Sequence, residues 1–122
     1  MGLDMYAYAT TAALKRVVDF PEPEDCEELH YWRKHPDLHG WMEKLYRAKQ
    51  GSNEDFNFAP LLLTVDDLTR LERDIKNGAL PKTSGFFFGQ STGAERGNDL
   101  EFVVKARLAI AQGKTVFYLA WW

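Results

Sequence analysis

The chain has 122 residues, with 15 basic and 18 acidic side chains and a formal charge of -3. That length suits one domain and is short for two, and 45% hydrophobic residues with so small a net charge exclude a disordered chain. The acid surplus argues against a general electrostatic grip on DNA or RNA, and a lone cysteine, Cys26, excludes an intramolecular disulfide or a cysteine-rich zinc site.

The first residues, MGLDMYAYAT, place Asp4 where a signal peptide needs a basic region, and Tyr6 where a myristoylation motif needs Ser or Thr. No apolar run approaches the roughly 20 residues that span a bilayer. A protein of the reducing cytosol, without membrane attachment, is expected. Leu3, Met5 and Ala7 alternate with Asp4, Tyr6 and Tyr8. This period of two predicts a strand with large groups on both faces, placed inside a sheet. Residues 10–19 suit helix or strand equally, and Pro21 to Asp25 form a rigid acidic turn.

From Glu24 to Lys34 the pattern reads as helical, until Pro36 interrupts it. A second helix then starts with Pro36 in its first turn. Its apolar stripe is Leu38, Trp41, Met42, Leu45 and Tyr46, and it runs to about Lys49. Leu61 to Leu63 is a short apolar run. Thr64 and Asp67 have capping-box spacing, and Val65, Leu68, Leu71 and Ile75 continue as a helix that stops at Asn77-Gly78. Gly85 to Gly89 reads as a core strand carrying three Phe, or as a hydrophobic ledge for a partner, and residues 90–98 as a polar loop. Asn98 or Asp99 would cap a last helix through Phe102, Val103, Ala106, Ala109 and Ile110, with Gly113 just beyond it. Val116 to Trp122 is a β-prone run. These elements predict a single α+β domain with about three to four helices. Its small sheet contains antiparallel strands and holds the N- and C-terminal strands side by side.

Six places are weighed for candidate chemistry or binding. Trp32, Arg33 and Lys34, with His39 beyond them, combine an aromatic platform with two cations, the means by which proteins hold nucleotides or phosphates. Asp4, a carboxylate within an apolar strand, needs a partner such as Arg33 or Lys34. His30, His35 and His39 resemble metal-ligand spacing, but Pro36 breaks the geometry, so no metal is expected. Cys26 lies between Asp25 and Glu27, which disfavour a thiolate, so no catalytic cysteine is expected. Ser91-Thr92-Gly93 offers hydroxyls and amides to a phosphate but lacks the lysine of a phosphate-binding loop. Phe87, Trp121 and Trp122 suggest self-association, since Trp is enriched at interface hot spots.

The segments MGLDMY, YWRK with His39 and Trp41 following, GFFFG and the aromatic C-terminal strand occur together and in order. Over nearly the whole chain they resemble a family of small bacteriophage and prophage proteins, sometimes labelled phosphoglycerate kinase. The chain is too short for that two-domain kinase. It departs from the family pattern at Pro36 and in the loop Gly93-Ala94-Glu95-Arg96-Gly97. The resemblance implies a phage or prophage accessory protein that binds a host or defence component in the host cytosol without catalysis. A homodimer without cofactor is expected. The alternatives are a nucleotide-binding sponge using the aromatic and basic cluster, and a small enzyme acting on a phosphorylated or nucleotide substrate through His39 and Asp4.

Overall fold

The structure, a computed structural model, describes residues 2–85 and 88–122. Its elements in chain order are β1 (Asp4–Thr10), β2 (Cys26–Arg33), α1 (Pro36–Ala48), β3 (Leu61–Leu63), α2 (Val65–Lys76), α3 (Arg96–Ala111) and β4 (Thr115–Trp121). The four strands form one antiparallel sheet in the order β2-β1-β4-β3. The terminal strands β1 and β4 are neighbours at its centre, with Asp4 opposite Trp121 and Thr10 opposite Thr115. Among the described residues no helix is long and apolar enough to cross a membrane.

The alternation in β1 sorts its side chains between two environments. Met5, Ala7 and Ala9 are buried beneath the helices with Leu38, Met42, Phe102 and Tyr118. Tyr6 and Tyr8 point to the other face, which carries no helix. There the segment between β1 and β2 lies over part of the sheet, and Leu14 and Phe20 pack on Phe117 and Leu119. Beyond Thr10, which ends β1, residues 11–19 form neither a helix nor a named strand, apart from a single bridge between Val18 and Leu61.

The expected helix from Glu24 to Lys34 is instead the edge strand β2. The ladder with β1 shifts register between Ala7 and Tyr8, where β2 carries Leu29 as an extra residue. That bulge lets Leu29 and Trp32 both pack towards the helices, so a strand shows apolar residues at helical spacing. In the GFFFG segment the described residues carry no strand, and the Phe88 N–H donates to the Gly85 carbonyl at 3.1 Å. Phe86 and Phe87 lie outside the described residues, and with them the self-association reading of Phe87. The last helix begins at Arg96, earlier than the expected cap, with Glu95 at its N-cap. Asn98 and Asp99 lie inside it and turn to other partners.

Helix α1 begins where expected, with Pro36 in its first turn, and α2 has the full capping box. Thr64 Oγ1 accepts the Asp67 N–H at 3.1 Å, and Asp67 Oδ2 accepts the Thr64 N–H at 2.9 Å. Asp67 is 2% exposed, and its carboxylate also accepts Lys49 Nζ at 2.5 Å and Arg70 Nη2 at 2.6 Å. Burial alone would raise its pKa, but the Lys49 and Thr64 hydrogen bonds outweigh that and hold it below the usual carboxylate value. Removing this group leaves Lys49 without its carboxylate partner and the capping box with only its Thr64 half. Asp67→Ala is expected to cost about 3–5 kcal/mol in urea denaturation. Arg70→Ala, at an exposed partner, should cost less than about 1 kcal/mol. Equal losses in the two variants would refute this account.

Candidate functional site

The face of the sheet opposite the helices carries a row of rings. Tyr31 of β2, Tyr6 of β1 and Trp121 of β4 follow one another, with centroids 4.9 Å and 4.7 Å apart. Phe58, ahead of β3, stacks on Trp121 at 5.1 Å with its plane tilted by 4°. Its backbone sits at φ 54, in a left-handed region that is an outlier for a bulky residue, and its ring is 61% exposed. The Phe58 N–H, donating to the Ala120 carbonyl at 2.8 Å, helps to hold this conformation.

Asp4 closes one end of the row. Its Oδ1 accepts the Tyr31 hydroxyl at 2.7 Å and Arg33 Nε at 3.3 Å. Nearby carboxylates add to burial in raising the hydroxyls of these rings, and Arg33 opposes part of the shift at Tyr31. The hydrogen bond to Asp4 pushes the Tyr31 hydroxyl up to about 12. Burial, followed by the charge of Glu22, does the same to Tyr8, also to about 12. Tyr6 is raised by burial and by Asp4 and Glu28.

The residues expected to act together are divided between the two sides of the sheet. Asp4 and Arg33 lie on the open face. Lys34 follows β2 with φ 55, packed close to Gly2 and Gly89. Trp32 and His39 are 3% and 1% exposed, in the core beneath the helices. Trp121 belongs to the open face, while Trp122 turns to the core side, with its ring 5.3 Å from His39 and 5.0 Å from Phe88. The Trp122 N–H donates to Asn57 Oδ1 at 3.1 Å, which holds the last residue in place.

On the core side, three polar side chains form a relay. Trp32 Nε1–H donates to Asp99 Oδ1 at 3.0 Å, and Asp99 Oδ2 lies 2.8 Å from His35 Nε2. The other ring nitrogen, His35 Nδ1, is 2.6 Å from Ser91 Oγ. His35 and Asp99 are buried, Ser91 is half-buried, and all three line a cleft of about 290 Å³ with Asp37, Lys82 and Glu95. The loop that closes one side is tied down by Asp37, whose Oδ1 accepts the Thr83 N–H at 3.0 Å. Thr83 packs so closely on Gly40 of α1 that any larger residue there would strike it.

No protein-family model matches the chain, and comparison with curated proteins and with solved structures finds no match. The geometry therefore has to carry the functional reading. The relay was not legible as a unit, because Ser91 and Asp99 are 56 and 64 residues from His35. One local signal did exist. Asp99 is the one acid at a core-facing position in the otherwise apolar stripe of α3, and a buried carboxylate requires donors.

His39 has a different character. Its Nδ1 is hydrogen-bonded to the Tyr118 hydroxyl at 2.7 Å, and rings of Phe56, Phe88 and Trp122 surround it. Nε2 has no partner in good hydrogen-bond geometry among the described residues, although the Phe56 backbone opposes part of the shift. Burial lowers the pKa to about 4, so the imidazole is neutral at physiological pH. The unfolded chain takes up a proton near the ordinary value of about 6.5, whereas the folded chain does not until about 4. Stability is therefore greatest above that ordinary value and falls as the pH drops towards the folded one. The expected loss between neutral pH and the lower value is up to about 3 kcal/mol. Denaturant titrations across that range should show this slope in the wild type and lose most of it in His39→Leu. An unchanged slope in that variant would show that His39 is not its source.

Proposed function

We propose that this chain acts by binding, with the open aromatic face of the sheet as the docking surface for a basic segment of a partner protein. The observation that carries the reading is the ring row Tyr31, Tyr6, Trp121 and Phe58, which no helix covers, set in the field of Asp4, Glu22 and Glu28. Exposed rings held in fixed geometry offer contact area at little entropic cost. Lys and Arg side chains settle over such ring faces, and neighbouring carboxylates add to their attraction. The strained, exposed Phe58 fits the same purpose, because strain persists where function uses it.

The resemblance to small phage and prophage proteins supports a partner from the host cell, a host or defence component met in the cytosol. A nucleotide ligand fits this face less well. Its phosphates would meet Asp4, Glu22 and Glu28, and the Trp32 ring that would stack on the base is buried. Asp4 and Arg33 are the two expected binding residues that this surface contains. The expected homodimer would use the same rings through Trp121, so a second copy competes with the partner for one surface.

A photo-crosslinking amino acid at Tyr31 or Phe58, and at Lys44 on α1 as control, tests the reading in bacterial cells carrying phage-defence systems. The expected result is an adduct with one distinct protein from positions 31 and 58 but not from 44. Capture should fall at least about tenfold on Glu22→Lys with Glu28→Lys, a loss that salt should mimic. Adducts only between copies of this chain, or none, would overturn the proposal.

A further inference from the structure

Beyond this binding role, and independent of it, we propose that Ser91 is a nucleophile, activated by His35 and positioned through Asp99, that hydrolyses small carboxylic esters in the cleft beside the start of α1. The assignment rests on how protons must be shared. Ser91 Oγ accepts the Asp37 N–H at 3.1 Å and lies 2.6 Å from His35 Nδ1. The Asp99 carboxylate, whose Oδ2 is 2.8 Å from Nε2, draws the imidazole proton to Nε2 and leaves Nδ1 of the neutral ring to accept the Ser91 proton. This is the tautomer that a base accepting a serine proton requires. Trp32 Nε1–H holds the other carboxylate oxygen, so Asp99 cannot turn away. His35 is locked between Lys34, in its left-handed conformation, and Pro36, which starts α1. Compared with the familiar serine hydrolases the two ring nitrogens exchange roles, but the proton path through the imidazole is the same.

The cleft also holds a place for negative charge. Gly93 N–H donates to Glu95 Oε1 at 2.8 Å, and Thr92 N–H reaches the two carboxylate oxygens at 3.2 and 3.1 Å. Glu95 Oε1 takes both backbone donors, and Oε2, reached by the Thr92 N–H alone, is 3.9 Å from His35 Nδ1, so the two amides hold a carboxylate whose other oxygen faces the Ser91–His35 pair. These donors would serve the oxyanion of a tetrahedral intermediate once Glu95 swings out. At about 290 Å³ the cleft admits a small acyl group.

In the acylation step Ser91 Oγ bonds to the ester carbonyl carbon while its proton passes to His35 Nδ1. The carbonyl electron pair moves to oxygen and returns as the bond to the alkoxide breaks, and His35 gives its proton to the departing alcohol. Water then attacks the acyl-serine, leaving its proton on His35 Nδ1. The C–O bond to Ser91 breaks, Oγ recovers that proton, and the acid departs. Asp99 keeps its charge throughout and stabilises the imidazolium through Nε2–H.

A fluorophosphonate probe incubated with the full chain, read by intact mass and peptide mapping, tests the proposal. One adduct is expected on Ser91, and none on Ser91→Ala or on heat-unfolded protein. Ser91 is half-buried on a loop, so the alanine variant should stay folded, with its melting point as the check. His35→Gln should slow labelling about 100-fold. Asp99→Asn, which removes the carboxylate charge facing Nε2–H, should lower the maximal labelling rate without changing the probe concentration for half-saturation. Glu95→Gln, which loosens the grip on the backbone donors, should speed labelling. Turnover of p-nitrophenyl acetate should follow the same order. A folded wild type that forms no adduct at Ser91 under excess probe overturns the proposal, as does labelling that is equally fast in His35→Gln. Either result would leave Ser91 as a clasp for the start of α1, and neither bears on the docking face.

Discussion

Asp99, 2% exposed inside the domain, is a carboxylate each of whose oxygens needs a donor. It is carried by the first turn of α3 and takes an N–H from Trp32 of β2 and a second from His35, the residue that caps α1. Three elements distant in the chain are thereby held at one point. The reversal from β2 into α1 is made in two residues, through Lys34 at φ 55, and Lys34 N–H donates to the Leu3 carbonyl at 2.9 Å to anchor the turn to β1. The position of α1 over the sheet, the loop that Ser91 occupies and the cleft between them all follow from this arrangement.

The sheet separates two chemistries because β1 and β2 send alternate residues to opposite faces. The YWRK segment shows this most directly. Tyr31 and Arg33 go to the open face and meet Asp4, while Trp32, between them, goes inward to Asp99. Four adjacent residues that look like one binding cluster therefore serve two environments. The open face is aromatic and electronegative, suited to recognition. The helix side holds the relay, where burial makes each hydrogen bond count for more. The two do not share a side chain, and either can operate without the other.

Much of the fold was legible along the chain, because the signals for α1 and α2 are local. Pro36 at a helix start, the reciprocal Thr64–Asp67 cap and the apolar stripes each depend on residues within one or two turns. Strand β2 was not legible, because the bulge at Leu29 replaces a period of two by a spacing of three. Nor did the start of α3 follow its best capping residues. Asn98 bonds His30 Nε2 at 3.0 Å and Asp99 turns inward, so both are used for tertiary contacts and Glu95 stands at the N-cap. Of the candidate site, the Asp4–Arg33 pair could be anticipated from a carboxylate in an apolar strand. The burial of Trp32 and His39 could not, since neither residue type declares which face it will take.

By itself the sequence determined the class of the fold, the two middle helices and the adjacency of two β-prone termini in one sheet, because periodicity and capping encode the burial of each element against an unspecified core. Tertiary structure alone decided which rings stay outside and which polar side chains converge. The row from Tyr31 to Phe58 exists only once β2, β1 and β4 stand in register, and Ser91, His35 and Asp99 meet only once α1 and α3 pack on the same face. Such convergence costs chain entropy that only the packing of the whole domain offsets, so no local pattern records it.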